Sequence, residues 1–259
     1  MKIPLDALIE HEVGYLRMSA QCVRTPCAWF LHGPEIPEYR DANHAVRLRD
    51  DGRGPDAVAR EVIAYFRSRG LTPVADIDVV AEAQGIGFAL RRLGVMPSIS
   101  DYLLMRYDAS DAPIVPDREI SVERTPNETG QGEASEWIET AQSQNVGGED
   151  ASIWLQVAER EARSLDCMLY LARRDGVAAG AGDLYSAAGW GRVDSVVTRP
   201  EFRRRGVASA LVAEIVRTSL TIGNTVTYLY TEAGGAGEQV YRKLGFVPWG
   251  VNVLRRHSA

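Results

Sequence analysis

Cysteine is scarce in this 259-residue sequence, which has three in all: Cys22, Cys27 and Cys167. The count is odd and no pair has the C-x-x-C spacing of a zinc or redox motif, so no disulfide framework is expected. Two readings stay open for the close pair: a Cys22–Cys27 bridge or, favoured, buried thiols in a reducing compartment. Histidine is nearly as sparse. His11, His32, His44 and His257 are scattered, with no second ligand at helical spacing, and no metal is expected. Long apolar runs are missing too: nothing approaches the roughly 18 residues that a membrane-spanning helix needs. The opening MKIPLDALIEHEVGYL has acids where a secretory signal has its apolar centre. These absences predict a cytoplasmic protein with no membrane partner. A G-x-S-x-G elbow is also lacking, which leaves no hydrolase nucleophile in a recognisable setting.

Positive charge is in short supply as well. The net charge is −6, which argues against a nucleic-acid partner. Its distribution is uneven. Asp117, Glu119, Glu123, Glu128, Glu133, Glu136, Glu139, Glu149, Asp150, Glu159 and Glu161 face only Arg118, Arg124 and Arg160 in the same stretch. That segment carries −8 and leaves +2 for the rest. Solvated helix faces are the ordinary explanation.

An internal repeat is present. Sliding the chain by 151 residues lays AQGIGFALRRLGVMP (83–97) over GGAGEQVYRKLGFVP (234–248), and DAVAREVIAYFRSRG (56–70) over VASALVAEIVRTSLT (207–221). One ungapped offset serving two segments points to a duplicated α/β unit. Apolar periodicity then places strands at 118–124, 167–173, 177–185, 192–198, 225–231 and 246–254, and helices at 134–144, 151–164, 205–220 and 236–244. The first half shows only the later part of this plan. It has helices at 3–19, 56–69 and 81–93, with strands at 28–32, 44–48, 73–79 and 102–107. A linker is expected at 108–116 and a mobile loop at 125–133.

The segment VVTRPEFRRRGVASALV (196–212) carries the chemistry. A strand ends, and Arg203, Arg204, Arg205 and Gly206 turn into an amphipathic helix. Unpaired N–H groups at a helix start suit a pyrophosphate, and neighbouring guanidinium groups add to the attraction. Glycine lets the backbone approach closely. By itself, a basic strand–turn–helix is common.

Arg203, Gly206 and Ala208 meet the acetyl-CoA pattern of the GNAT acetyltransferase superfamily: Gln or Arg, two residues, Gly, one residue, Gly or Ala. Tyr241-Arg242-Lys243-Leu244-Gly245-Phe246 matches the family's second motif, Y-x-x-L-G-F, in the expected order and spacing. The chain therefore resembles that superfamily over 112–259. The resemblance implies an α/β (α+β type) fold of two GNAT-like mixed-sheet units with flanking helices, the N-terminal one truncated. Residues 1–110 would be a degenerate domain and 112–259 the catalytic one.

By that resemblance, the strands at 192–198 and 225–231 splay apart and take the pantetheine of acetyl-CoA, the co-substrate, against Val196, Val197 and Thr198. The turn Arg203, Arg204, Arg205, Gly206, Val207 and Ala208 holds its pyrophosphate, and Tyr241 protonates the leaving thiolate. Asp194 and Glu232 are the candidates for general base, Asp194 ahead. Gly234 and Gly237 replace the Asn and Ala that the family often has before the tyrosine. In the first half the phosphate turn reads Asp50-Asp51-Gly52-Arg53-Gly54-Pro55, with carboxylates and a proline where donors are needed. The implied partner is a small-molecule primary amine, cationic if the acid-rich stretch lines its site. Monomer and homodimer are both open. Alternatives are a non-catalytic acyl-CoA-binding or regulatory module and a protein or peptide amine acetyltransferase. A nucleotide-binding oxidoreductase, suggested by Gly180-Ala181-Gly182, lacks the full G-x-G-x-x-G motif.

Overall fold

The structure, a computed structural model, describes residues 4–78, 81–108, 119–128, 132, 134–143 and 151–259. Two compact units divide the chain. One comprises Met1–Leu104, Thr231–Ala233 and Pro248–Ala259; the other comprises Met105–Tyr230 and Gly234–Val247. The fold is α+β, with a mixed sheet in each unit. Among the described residues no helix is long and apolar enough to cross a membrane.

The first unit runs α1 (Leu5–Leu16), β1 (Gln21–Arg24), β2 (Trp29–His32), β3 (Ala45–Val46), α2 (Pro55–Arg67), β4 (Val74–Asp78) and α3 (Ala81–Arg92), then enters β5 (Met96–Tyr107). Helix α2 starts with Pro55, whose fixed φ and missing N–H suit a first helical position. Its residues Val58, Val62 and Phe66 recur at helical spacing and are all buried. They meet Phe30, Ile77, Ile86 and Leu90 in one apolar core. Strand β3 is parallel to β4. The last residues of the chain complete this sheet: in β11 (Phe246–Ser258), Leu254 to Ser258 pair antiparallel with Asp78 to Val74.

The second unit contains β6 (Ile120–Thr125), α4 (Ser135–Ala141), α5 (Ala151–Arg163), β7 (Cys167–Arg174), β8 (Val177–Ala187), β9 (Trp190–Thr198), α6 (Val207–Thr221), β10 (Val226–Glu232) and α7 (Ala236–Lys243). Its strands lie in the order β10-β9-β8-β7-β6. All neighbours are antiparallel except β10 and β9, which are parallel.

The duplication is visible in the elements. Helices α2 and α6 start at 55 and 207, strands β4 and β10 at 74 and 226, and strands β5 and β11 end at 107 and 258. The parallel pair β3/β4 of one unit has its counterpart in β9/β10 of the other. Periodicity located every element of the second unit to within a few residues. In the first unit it missed β1, a four-residue strand with only two apolar residues, Cys22 and Val23. It also started β5 six residues late, at 102 rather than Met96, because Pro97 reads as a stop. Proline is tolerated near the first residue of a strand, before its missing N–H breaks a ladder. Of the expected linker, residues 109–116 lie outside the described residues, as do 129–131 and 133 of the loop. The start of that loop is tied down: the Asn127 amide donates to the carbonyls of Ser164 and Cys167 at 2.8 and 2.9 Å.

Glycine decides how closely α6 lies on its sheet. A Cβ on Gly180 would stand 2.7 Å from Val207 Cγ1, and one on Gly182 would stand 3.1 Å from Leu211 Cδ2. The glycines of Gly180-Ala181-Gly182 thus clear space under a helix. Gly191 is tighter still, since its Cβ would fall 2.3 Å from Ser219 Oγ and 2.8 Å from Asn224 Nδ2. Those two side chains belong to a polar cluster in which Asn224 donates to Ser219 and Ser186, and Ser219 shares a 2.7 Å bond with Thr227. Gly191→Ala should break this cluster and overpack the interface. It is expected to cost about 1–3 kcal/mol, read as a lower midpoint in urea with an unchanged slope; a stability equal to wild type would refute the assignment.

Candidate active site

Strand β9 changes its pairing halfway along. Its first residues pair with β10 at three positions, Trp190↔Val226, Gly191↔Thr227 and Arg192↔Tyr228. No pairing between the two strands follows among the described residues. Against β8, on its other side, the register slips: Ala181 faces Val197 and Asp183 faces Asp194. One more residue is therefore inserted on β9 than on β8, and Ser195 takes up the strain at φ 52. A bulge of this kind bends its strand and re-aims side chains. The backbone from Val193 to Thr198 leaves β10, as the splaying implied. Val197 is buried, while Val196 and Thr198 are half-buried on that free stretch.

The arginine turn follows within a few residues. Arg204 and Gly206 both have positive φ, 59 and 82, and Gly206 is the N-cap of α6. No side chain caps this helix, so the first N–H groups, those of Val207, Ala208 and Ser209, have no partner within it. Arg203, Arg204 and Arg205 are all exposed around it. Three cations, several free donors and the positive end of a 15-residue helix together form a place for a polyanion. The pyrophosphate of a coenzyme A fits that donor set.

Tyr241 projects from α7 and packs edge-to-face on Phe246, with ring centroids 5.9 Å apart. Burial, then the nearby Asp194 carboxylate, pushes its pKa up to about 12. The phenol is therefore neutral at physiological pH, and Tyr241 and Asp194 lie within electrostatic reach of one another. Asp194 is already engaged. One oxygen accepts Arg192 Nε at 2.7 Å and the other accepts the Ser195 N–H at 2.9 Å. Glu232 is exposed at the last position of β10 and groups with the other compact unit. The structure thus brings Tyr241 and Asp194 within electrostatic reach of one another.

Sequence reasoning missed a second set of groups beside the bulge. Asp183 on β8 is fully buried, and neither carboxylate oxygen has a hydrogen-bond partner of standard geometry. Burial first, then the carboxylates of Glu161 and Asp194, push its pKa well up, with slight relief from the neighbouring Ser195 hydroxyl. Glu161 comes from α5 and accepts a bond from Ser195 Oγ at 3.0 Å. The Cys167 thiol is pushed up by the same burial and the same acids. One sequence signal existed: Asp183 interrupts an apolar strand whose neighbours are all buried. Among the described residues, no group of three or more potential ligands is arranged to hold a metal.

Among the described residues of the acid-rich stretch, further acids meet arginines. Glu123 and Glu136 meet Arg173, Glu119 meets Arg174, and Glu139 meets Arg199. These exposed pairs contribute little individually. They nonetheless bring three arginines, Arg173, Arg174 and Arg199, from outside the stretch against its charge.

A profile of the acetyltransferase (GNAT) domain family matches residues 165–248. Among solved structures, a GCN5-related N-acetyltransferase from Kribbella flavida is similar, with a TM-score of 0.70 at 19% identity over 100% of this chain and 96% of its own. A functionally unknown conserved protein from Staphylococcus epidermidis has a TM-score of 0.70 at 11% identity, covering 93% and 94% of the two chains. An acetyltransferase from the GNAT family of Colwellia psychrerythraea has a TM-score of 0.58 at 11% identity, covering 96% and 88%. At such identities the likeness is one of fold. No curated protein matches the sequence.

The protonation of Asp183 has a measurable signature. In the unfolded chain this carboxyl titrates near about 3.9, and in the fold it titrates well above that. Its contribution to stability is therefore complete below the unfolded value and is lost as pH rises toward the folded one. Asp183→Asn keeps the shape and cannot ionise. The loss of melting temperature between pH 5 and pH 8 should be smaller in the variant than in wild type; identical losses would mean that Asp183 is ionised throughout.

Proposed function

Because residues 165–248 carry a GNAT acetyltransferase domain, we propose that the protein is an acetyl-CoA-dependent N-acetyltransferase acting on a primary amine. In this reading residues 112–259 are the catalytic domain and residues 1–110 a degenerate counterpart. The observation that carries it is the parting of β9 from β10 after Arg192 and Tyr228, immediately before an uncapped, arginine-flanked helix start.

Each part has a role that its chemistry suits. The turn from Arg203 to Ala208 binds pyrophosphate through backbone N–H groups and guanidinium charge. The backbone of Val196, Val197 and Thr198, unpaired on the β10 side, offers donors and acceptors to the pantetheine amides. Acetyl-CoA supplies the activated acyl group. Tyr241 keeps its proton until charge develops on the departing sulfur and then donates it. Asp194 or another carboxylate takes the proton that the ammonium must lose before its nitrogen can attack.

The first unit supports this assignment by contrast. Its corresponding turn keeps two glycines at positive φ, Gly52 and Gly54. The donors there are already used: Asp50 Oδ1 accepts the N–H groups of Gly52 and Gly54 at 3.0 and 2.9 Å. Asp50 thus supplies the anion from within the chain, while Arg53 pairs with Asp51 and Glu61. A cationic acceptor draws less support from the acid-rich stretch, given its arginine pairs. The small-molecule and peptide amine readings differ only in acceptor size.

Isothermal titration with acetyl-CoA is expected to show binding near one per chain, lost in Arg205→Glu and Gly206→Asp and kept in Gly52→Asp. Tyr241→Phe should retain that affinity while lowering kcat by about 100-fold or more, followed as thiol release across a panel of primary amines. Binding without thiol release from any amine would favour a non-catalytic acyl-CoA module.

A further inference from the structure

The base is the weakest part of that mechanism, because both oxygens of Asp194 are already held by Arg192 and the Ser195 amide. Resting on the transferase reading, we propose that the acceptor's proton leaves through Ser195 to Glu161.

The bulge creates the arrangement. In a regular strand neighbouring residues face opposite sides, so Ser195 would point away from Asp194. On β8, a Cβ at Gly182 would meet Leu211 and Ile215 of α6, so its neighbour Asp183 faces the other side of the sheet. Asp194 is paired with Asp183 and shares that side. The extra residue lets Ser195 join them: its hydroxyl bonds Glu161 of α5 and lies beside Asp183. This happens where β9 has already left β10, on the stretch against which the thioester lies in the proposed mechanism. A serine held at φ 52 stores backbone strain, which is common where geometry serves chemistry.

Glu161 is held in place from behind. The Glu128 N–H donates to the Ala162 carbonyl at 2.8 Å, and the Asn127 amide ties the end of α5 to the start of β7. Among the described residues, the other ionisable groups around the couple include Asp194 and Arg192 on β9, Asp183 on β8, Cys167 on β7 with the adjoining Asp166, and Tyr241 on α7. Arg192 neutralises Asp194. Asp183 and Cys167 keep their protons through burial.

The proton count closes with these residues alone. The ammonium N–H bond breaks as its proton passes to Ser195 Oγ, while the hydroxyl proton moves to a Glu161 oxygen. The serine ends unchanged and Glu161 ends protonated. The freed lone pair forms the C–N bond, the C–S bond breaks as the sulfur takes the Tyr241 proton, and the newly bonded nitrogen passes its remaining excess proton to the Tyr241 phenolate, leaving a neutral amide. Solvent then takes the proton from Glu161. A hydroxyl has one donor and two acceptor positions. With its hydrogen on Glu161, Ser195 Oγ keeps acceptor positions for the amine.

The test measures kcat against pH for wild type, Ser195→Ala, Glu161→Gln and the double variant, using the fastest amine of the primary-amine panel. Acetyl-CoA affinity is taken by calorimetry in parallel. Each single variant is expected to lose about 100-fold in kcat near pH 7, with acetyl-CoA affinity unchanged. Activity should recover as pH nears the amine's own pKa of about 10, where the acceptor arrives already neutral. The double variant should lose no more than the worse single one, since both interrupt one path. Ser195→Gly, which relieves the backbone strain, should be as slow as Ser195→Ala if the hydroxyl matters. Wild-type kcat in Glu161→Gln, or an equal loss at every pH, would overturn the relay and leave the transferase reading standing. A wild-type protein that neither binds acetyl-CoA nor releases thiol with any amine would overturn the transferase reading itself.

Discussion

Backbone pairing between β9 and β10 ends after Arg192 and Tyr228, and the candidate site is organised around that ending. A parallel ladder that continued would consume the polar groups from Val193 to Thr198. Here one inserted residue at Ser195 bends β9 while β8 continues to hold its other edge. The free stretch then runs straight into the turn that opens α6. Backbone groups and arginines whose chemistry suits an extended, anionic ligand follow one another along a single piece of chain.

Holding that piece still requires a firm backing, which small residues provide. Gly180 and Gly191 allow α6 to lie on β8 and β9 at distances that a Cβ would forbid, and at Gly182 a Cβ would press tightly on Leu211 and Ile215. The helix contributes Leu211 and Ile215 to the core, and the polar bonds of Ser219 and Asn224 lock its far end. Its N-terminus is thereby set by packing, and the arginines around that N-terminus remain exposed. The rigid part of the element is apolar and the working part is not. In the first unit the same frame persists with opposite turn chemistry: Asp50 closes on the amides of Gly52 and Gly54. Duplication kept the shape there, and a carboxylate took up the donors.

Much of this was written locally in the chain. Apolar spacing located the helices and strands of the second unit, because those signals span only a few residues each. The offset of 151 residues showed that two units share a plan, and helices and strands of the two units recur at that separation. Arg203 to Ala208 and Tyr241 stood out by motif. Short β1 and the early start of β5 escaped, the first for its brevity and the second for Pro97.

What the sequence by itself determined is therefore the set of elements, their order, the repeat and the basic turn. Only the tertiary structure decided that residues 248–259 group with the first unit, through β11 pairing with β4. It alone brought Glu161, Asp183 and Ser195 together beside Asp194. The reason is physical. Periodicity and turn chemistry act between near neighbours along the chain. The meeting of a helix residue with two strand residues depends on strand register and on one bulge, which are set by hydrogen bonds between segments distant in sequence.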